Sequence, residues 1–174
     1  LPRPATSRDP DPQQGEKPQS DRKVAPCSQP CTKEGLRKTR DKKSKWGFIN
    51  NSGNPVTAFD YDYVAYFSGG LAQVLSKNKW GYIDSTGKEI IPCSFDVAGI
   101  FINGVAVAKK ENKWGFIAKS GHQVAPFIYD EINTFYENLA QVRKDEKWGY
   151  VNRAGKLVIP CIYSGSEIFS EGLA

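Results

Sequence analysis

The chain of 174 residues has no methionine, a single histidine at His122, and no long apolar run. A bilayer-crossing helix needs about 18 consecutive apolar residues, so none is expected, and no signal-peptide core is present. With one histidine, a zinc site would have to be completed by cysteines or carboxylates. Calcium-loop spacing, a glycine-rich phosphate cradle and a nucleophile elbow are all missing. The reading is therefore a non-catalytic chain with no cofactor and no metal.

Basic charge is missing from most of the chain as well. Residues 1–44 hold 11 Lys/Arg against 6 Asp/Glu, whereas residues 45–174 balance at 13 against 13. The larger part lacks the basic footprint of a nucleic-acid binder, so no nucleic acid is expected there. Seven of the eleven prolines also fall in residues 1–44. That composition reads as a disordered, Pro-rich basic tail or linker. Its run Lys33 to Lys43 could meet phosphates or acidic lipids, but a solvated linker is the better reading.

What is present is a period. Trp46, Trp80, Trp114 and Trp148 are each 34 residues apart, and each sits in Lys-Trp-Gly. The glycines are Gly47, Gly81, Gly115 and Gly149. Seven residues after each Trp comes Gly53, Gly87, Gly121 or Gly155, and 21 after it Phe67, Phe101, Phe135 or Phe169. Two after it comes Phe48, Tyr82, Phe116 or Tyr150. A fixed period without insertions signals a repeat architecture.

Prolines at Pro92, Pro126 and Pro160, with several glycines per unit, argue against a helical repeat. Short segments rich in Val, Ile, Phe and Tyr predict strands. Each unit reads as a three-stranded meander: Leu71 to Leu75, then Trp80 to Ile83, then Glu89 to Ile91. A glycine turn at Asp84 to Lys88 joins the last two, and a loose connector from Asp96 to Asn103 follows. Gly81 leaves room for a neighbouring ring to lie on the strand. One meander cannot bury both faces, so the units are expected to stack in an open, solenoid-like all-β array over residues 45–174. A closed propeller is the alternative.

In repeat one the register places Leu-Ala-x-Val at Arg37-Lys-Thr-Arg40, which predicts a blunted sheet edge or, more readily, an unstructured segment. At the other end, Ala174 falls inside a strand. Together with the missing methionine, this predicts a fragment of a longer array.

Candidate chemical groups are few. His122 occupies a turn position, solvent-facing and unpartnered. Cys93 and Cys161 share a column with Phe59 and Phe127, so core packing is expected. Cys27 and Cys31 form a lone pair in the tail, open to a disulfide or half a metal site. Asp62, Asp96 and Asp130, replaced by Ser164, read as turn-formers that accept backbone N–H groups, with Asp60 beside the first. Trp and Phe columns read as core, while Tyr61, Phe95, Tyr129 and Tyr163 form a further aromatic ladder.

Taken in register, Lys-Trp-Gly-[Phe/Tyr]-Ile-Asp/Asn-x-x-Gly, Ile-Pro-x-x-[Tyr/Phe]-Asp and Phe-x-x-Gly-Leu-Ala-x-Val resemble the WG-repeat family over residues 45–174. Ala58 and Ala118 depart from the pattern. The resemblance implies a binding or scaffolding array without general enzymatic activity, of bacterial and often envelope-associated or secreted occurrence. The expected function is a repeat module that binds a protein or a glycan through variable connector positions such as Tyr136 and Asn103. The alternative is an accessory domain of a larger enzyme or effector.

Overall fold

The computed structural model describes residues 35–165, and every regular element among them is a β-strand. The strands β1 (Arg37–Arg40) and β2 (Trp46–Ile49) form a pair. Three antiparallel four-stranded sheets follow in chain order. The first holds β3 (Tyr63–Val64), β4 (Leu71–Ser76), β5 (Lys79–Asp84) and β6 (Glu89–Phe95). The second holds β7 (Val97–Ala98), β8 (Val105–Lys110), β9 (Lys113–Ala118) and β10 (Gln123–Tyr129). The third holds β11 (Glu131–Ile132), β12 (Leu139–Lys144), β13 (Lys147–Asn152) and β14 (Leu157–Tyr163).

The three long strands of each meander lie where the periodicity places them. The connector contributes a fourth, two-residue strand, because after Asp96 the chain runs back along the next long strand, with Val97 opposite Lys109 and Ala98 opposite Ala108. The hairpin between β4 and β5 turns on Lys77 (φ 51°) and Asn78 (φ 61°), and that between β8 and β9 on Glu111 (51°) and Asn112 (62°). Two successive positive φ values give the turn whose twist matches the flanking strands. The next turn rests on one side chain: Asp84 Oδ1 accepts from the N–H groups of Thr86 (2.9 Å) and Lys88 (3.0 Å). Asn50 and Asn152 do the same, whereas Ala118 offers its turn no side-chain acceptor for these N–H groups.

Both faces of each inner sheet are buried, because alternate residues point to opposite sides. Tyr82 faces forward, into a core with Phe95, Ala106 and Ile117; its neighbour Ile83 faces backward, onto Phe48, Val64 and Val74. Phe116, Tyr129, Ala140 and Val151 repeat the arrangement one sheet later. The sheets are thus spacers between successive cores, and the result is an open array rather than a closed propeller.

The Lys-Trp-Gly glycine sits beneath a bulge. In β6 the register against β5 slips around Pro92, so a Cβ on Gly81 would lie 2.6 Å from the Ile91 carbonyl oxygen and 2.8 Å from Cys93 N. The expected ring contact occurs at Gly47 and Gly115, where Phe59 and Phe127 come to 2.9 Å of a built Cβ. At Gly81 the close neighbours are strand backbone and the Cys93 Sγ, and at Gly149 strand backbone alone.

The segment Arg37–Arg40 is a strand paired with β2, not an unstructured tail. The loop joining β1 to β2 is one residue longer than its counterparts, and Asp41 Oδ1 closes it by accepting from Lys43 N and Lys45 N. That extra residue shifts the register. Leu36, buried at 6% exposure, takes the place of Leu71, and Arg37 and Thr39 take those of Ala72 and Val74. The expected disorder of residues 1–34 and the assignments at Cys27, Cys31, Phe169 and Ala174 lie outside the described residues.

Candidate functional site

The repeated aromatics are mostly committed to structure. Phe67 packs tilted against Phe48 with centroids 4.9 Å apart, Phe101 against Tyr82 at 4.8 Å, and Phe135 against Phe116 at 4.7 Å. The Tyr82 hydroxyl also donates to the Gly99 carbonyl, tying strand to connector. The four tryptophans are half-buried, less than a core position implies, and each ring meets a side chain from its own sheet. Arg40 lies 4.3 Å over Trp46, Lys109 5.6 Å over Trp114 and Arg143 5.8 Å over Trp148, while Tyr63 meets Trp80 edge-on at 5.8 Å. No bare Trp ladder is presented among the described residues. The second ladder is also largely closed. Phe95 and Tyr129 are buried, and burial pushes the Tyr61 phenol up to about 12, leaving Tyr163 exposed.

The recurrent Asp does accept backbone N–H groups, but from the hairpin ahead. Asp62 Oδ2 accepts from Lys77 N at 2.9 Å and Asp130 Oδ2 from Asp145 N at 3.0 Å. Their other oxygens pair with the lysines of Lys-Trp-Gly: Lys45 with Asp62, Lys79 with Asp96, Lys113 with Asp130. Lys147 finds Ser164 Oγ instead, at 3.0 Å. The lysine first, then the backbone N–H groups, hold these carboxyls below the usual carboxylate range. The ladder positions each hairpin on its predecessor. A lysine in every unit, with an acid 17 residues later in three of the four, was the sequence signal for it, and it went unread.

His122 is exposed but not unpartnered, since its Nδ1 lies 2.6 Å from Ser120 Oγ. Cys93 and Cys161 are free, half-buried thiols packed at the edges of cores, and burial pushes Cys93 up to about 11. Among the described residues no three His, Cys, Asp or Glu side chains cluster to hold a metal, and no helix is long and apolar enough to cross a membrane.

What remains open is the connector rim. Asn103 is exposed there, but at φ 51° and followed by Gly104 at 85° it forms the tip of the Ile102–Val105 turn. Asparagine tolerates this left-handed region, which gives Asn103 a backbone role. Tyr136, at 51% exposure, stands at the equivalent of Ile102. Ile100 and Ile102 are also exposed, and with Val105, Val107, Thr134 and Phe135 they line a recess of about 180 Å³. Thr134 is shared with a second cleft of about 410 Å³, where Tyr136 stands beside Asn133, Gln141 and Leu139. The sequence flagged Tyr136 but not the isoleucines, which in a linear reading look like one more apolar pair.

Comparison with known proteins gives one family. The family described as "WG containing repeat" matches four consecutive segments, residues 46–80, 80–114, 114–148 and 148–174. No curated protein matches the chain. A crystal structure described as that of the eukaryotic initiation factor aligns at TM-score 0.44 and 13% identity, over 68% of this chain and 37% of that one. A symmetrical protein of de novo evolutionary emergence aligns at TM-score 0.32 and 7% identity, over 76% of this chain and 70% of its own. Both likenesses are too low to bear on function.

Proposed function

Since the chain belongs to the WG-repeat family, we propose that its array is a non-catalytic interaction module that binds a partner protein along the connector rim. The observation that carries this reading is the recess between Ile100, Ile102 and Phe135. Exposed branched apolar side chains around a small apolar recess suit the aliphatic or aromatic side chain of a protein segment. Repeat arrays bind through surfaces shared by several units, and this recess draws on two successive connectors. The structural columns are occupied with packing, so the positions free to vary are those between them.

A glycan is the second reading, favoured by the cleft at Tyr136, where an exposed ring stands beside the amides of Asn133 and Gln141. Stacking on a sugar face with amide hydrogen bonds is the chemistry such a cleft offers. An accessory domain of a larger enzyme or effector remains the alternative context for either.

The test is affinity capture with the tagged chain and its Ile100→Ser and Tyr136→Ser variants. Loss of a protein partner with Ile100→Ser, at an unchanged melting temperature, supports the first reading. Loss of binding to a glycan array with Tyr136→Ser alone supports the second. Capture lost only in variants that unfold contradicts both.

A further inference from the structure

The first unit differs from the others where β1, β2 and the connector before β4 meet. Lys38 Nζ lies 4.2 Å from the ring centroid of Tyr66, 5.4 Å from that of Trp46 and 5.5 Å from that of Tyr63. All three distances fall within the roughly 6 Å over which a ring attracts a cation. By register, the second unit has Gln73, Trp80, Val97 and Ile100 at these places, and the third has Val107, Trp114, Glu131 and Thr134. Among the described residues, three rings around one cation occur here and nowhere else, and no carboxylate pairs with Lys38.

We propose that Trp46, Tyr63 and Tyr66 form a cage for a trimethylammonium group, with Lys38 as its resident and displaceable occupant. The cage opens to solvent, since Tyr66 is 59% and Tyr63 41% exposed, while half-buried Trp46 forms its floor. A primary ammonium is compact and strongly hydrated, with three donors that ring faces satisfy poorly. A trimethylammonium group brings the same charge without N–H donors, and its methyl groups add dispersion contact with the rings. The seat therefore suits the methylated cation better than the lysine that fills it. Lys38 competes as a tethered group, with an effective concentration of order millimolar. Arg40, stacked 4.3 Å over the same indole, keeps the surroundings cationic, which disfavours a polycation and leaves a single ammonium group as the fitting ligand.

This inference stands apart from the connector recess and fails or holds without it. The experiment follows the four indole N–H signals of the full chain by NMR, with Trp46 assigned through Trp46→Phe. The Trp46 Nε1 is buried without an acceptor, so its signal reports the ring's surroundings. Tetramethylammonium chloride is the probe, with sodium chloride at equal ionic strength as control. A saturable shift of the Trp46 signal alone is expected. Lys38→Gln, which installs the second unit's residue, should tighten binding about tenfold by removing the tethered competitor, and Lys38→Val should do the same. Tyr66→Ala should abolish the shift without changing the melting temperature. Choline and free Nε-trimethyl-lysine then tell a lipid-derived source from a protein-derived one by which is held more tightly. No saturable shift in either Lys38 variant, an equal shift in Tyr66→Ala, or all four indoles moving together would overturn the proposal.

Discussion

Lys45 pairs with Asp62 across 17 residues, and the same carboxylate accepts the backbone N–H of Lys77 in the following hairpin. One acidic side chain thus joins a strand to the turn of the next unit. The full relationship recurs at Lys113, Asp130 and the Asp145 N–H, while Lys79 pairs with Asp96 between them and Lys147 meets Ser164 at the last step.

Acid should loosen these clasps. The carboxyls of Asp62, Asp96 and Asp130 lie below their ordinary value in the folded chain. Their stabilisation is therefore complete above the unfolded value of about 4 and is lost as pH falls through the lower folded values. The melting temperature should be level from pH 7 to about 5 and decline below about 4, with a shallower decline when all three are changed to Asn. An identical acid profile in the triple variant would remove the clasp from the account.

The Lys-Trp-Gly glycine should tolerate no side chain. In Gly81→Ala the new methyl meets the Ile91 carbonyl and Cys93 N, both backbone atoms of a bulged strand. Overpacking of this kind costs about 1–3 kcal/mol. Asn103→Gly, at a φ that suits glycine, should stay within about 0.5 kcal/mol of the parent chain. Urea unfolding of the two variants measures the contrast.

Adjacent connector residues should behave in opposite ways. Phe101 is buried against Tyr82, and Phe101→Ala should cost about 3–5 kcal/mol. Ile100, one position earlier and 55% exposed, should lose under about 0.5 kcal/mol when changed to Ser. Equal losses in thermal unfolding would mean that the rim is part of the core.

Thiol labelling should report folding. Burial pushes Cys93 up to about 11 and raises Cys161 as well, so little thiolate is present near pH 8. Iodoacetamide should modify both slowly in the native chain and faster in urea. Equal native and denatured rates would place these thiols in water.

The legible part of the fold was whatever repeats at fixed spacing within a unit: the strand pairs around each Trp, the glycine turns and the Phe column. The first strand was located but read more readily as unstructured, because a loop longer by one residue displaced Leu36 from the 34-residue register and left charge at positions that are apolar in the other units. The clasp at Lys45 and Asp62 escaped notice because its parts lie in different elements and its third partner, Lys77 N, is backbone, so that only the 17-residue spacing marks it. The tryptophans read as core because size predicts burial. Their cover of Arg40, Lys109 and Arg143 depends on cross-strand register. The recess at Ile100 arises only when two connectors are brought side by side.

Hydrogen–deuterium exchange of the chain, alone and with a captured partner, tests the interaction-module reading most directly. New protection is predicted at residues 99–102 and 133–136, with β5, β9 and β13 unchanged. Protection confined to the glycine turns at residues 85–88 and 119–122, with the connectors exchanging as freely as before, would contradict it.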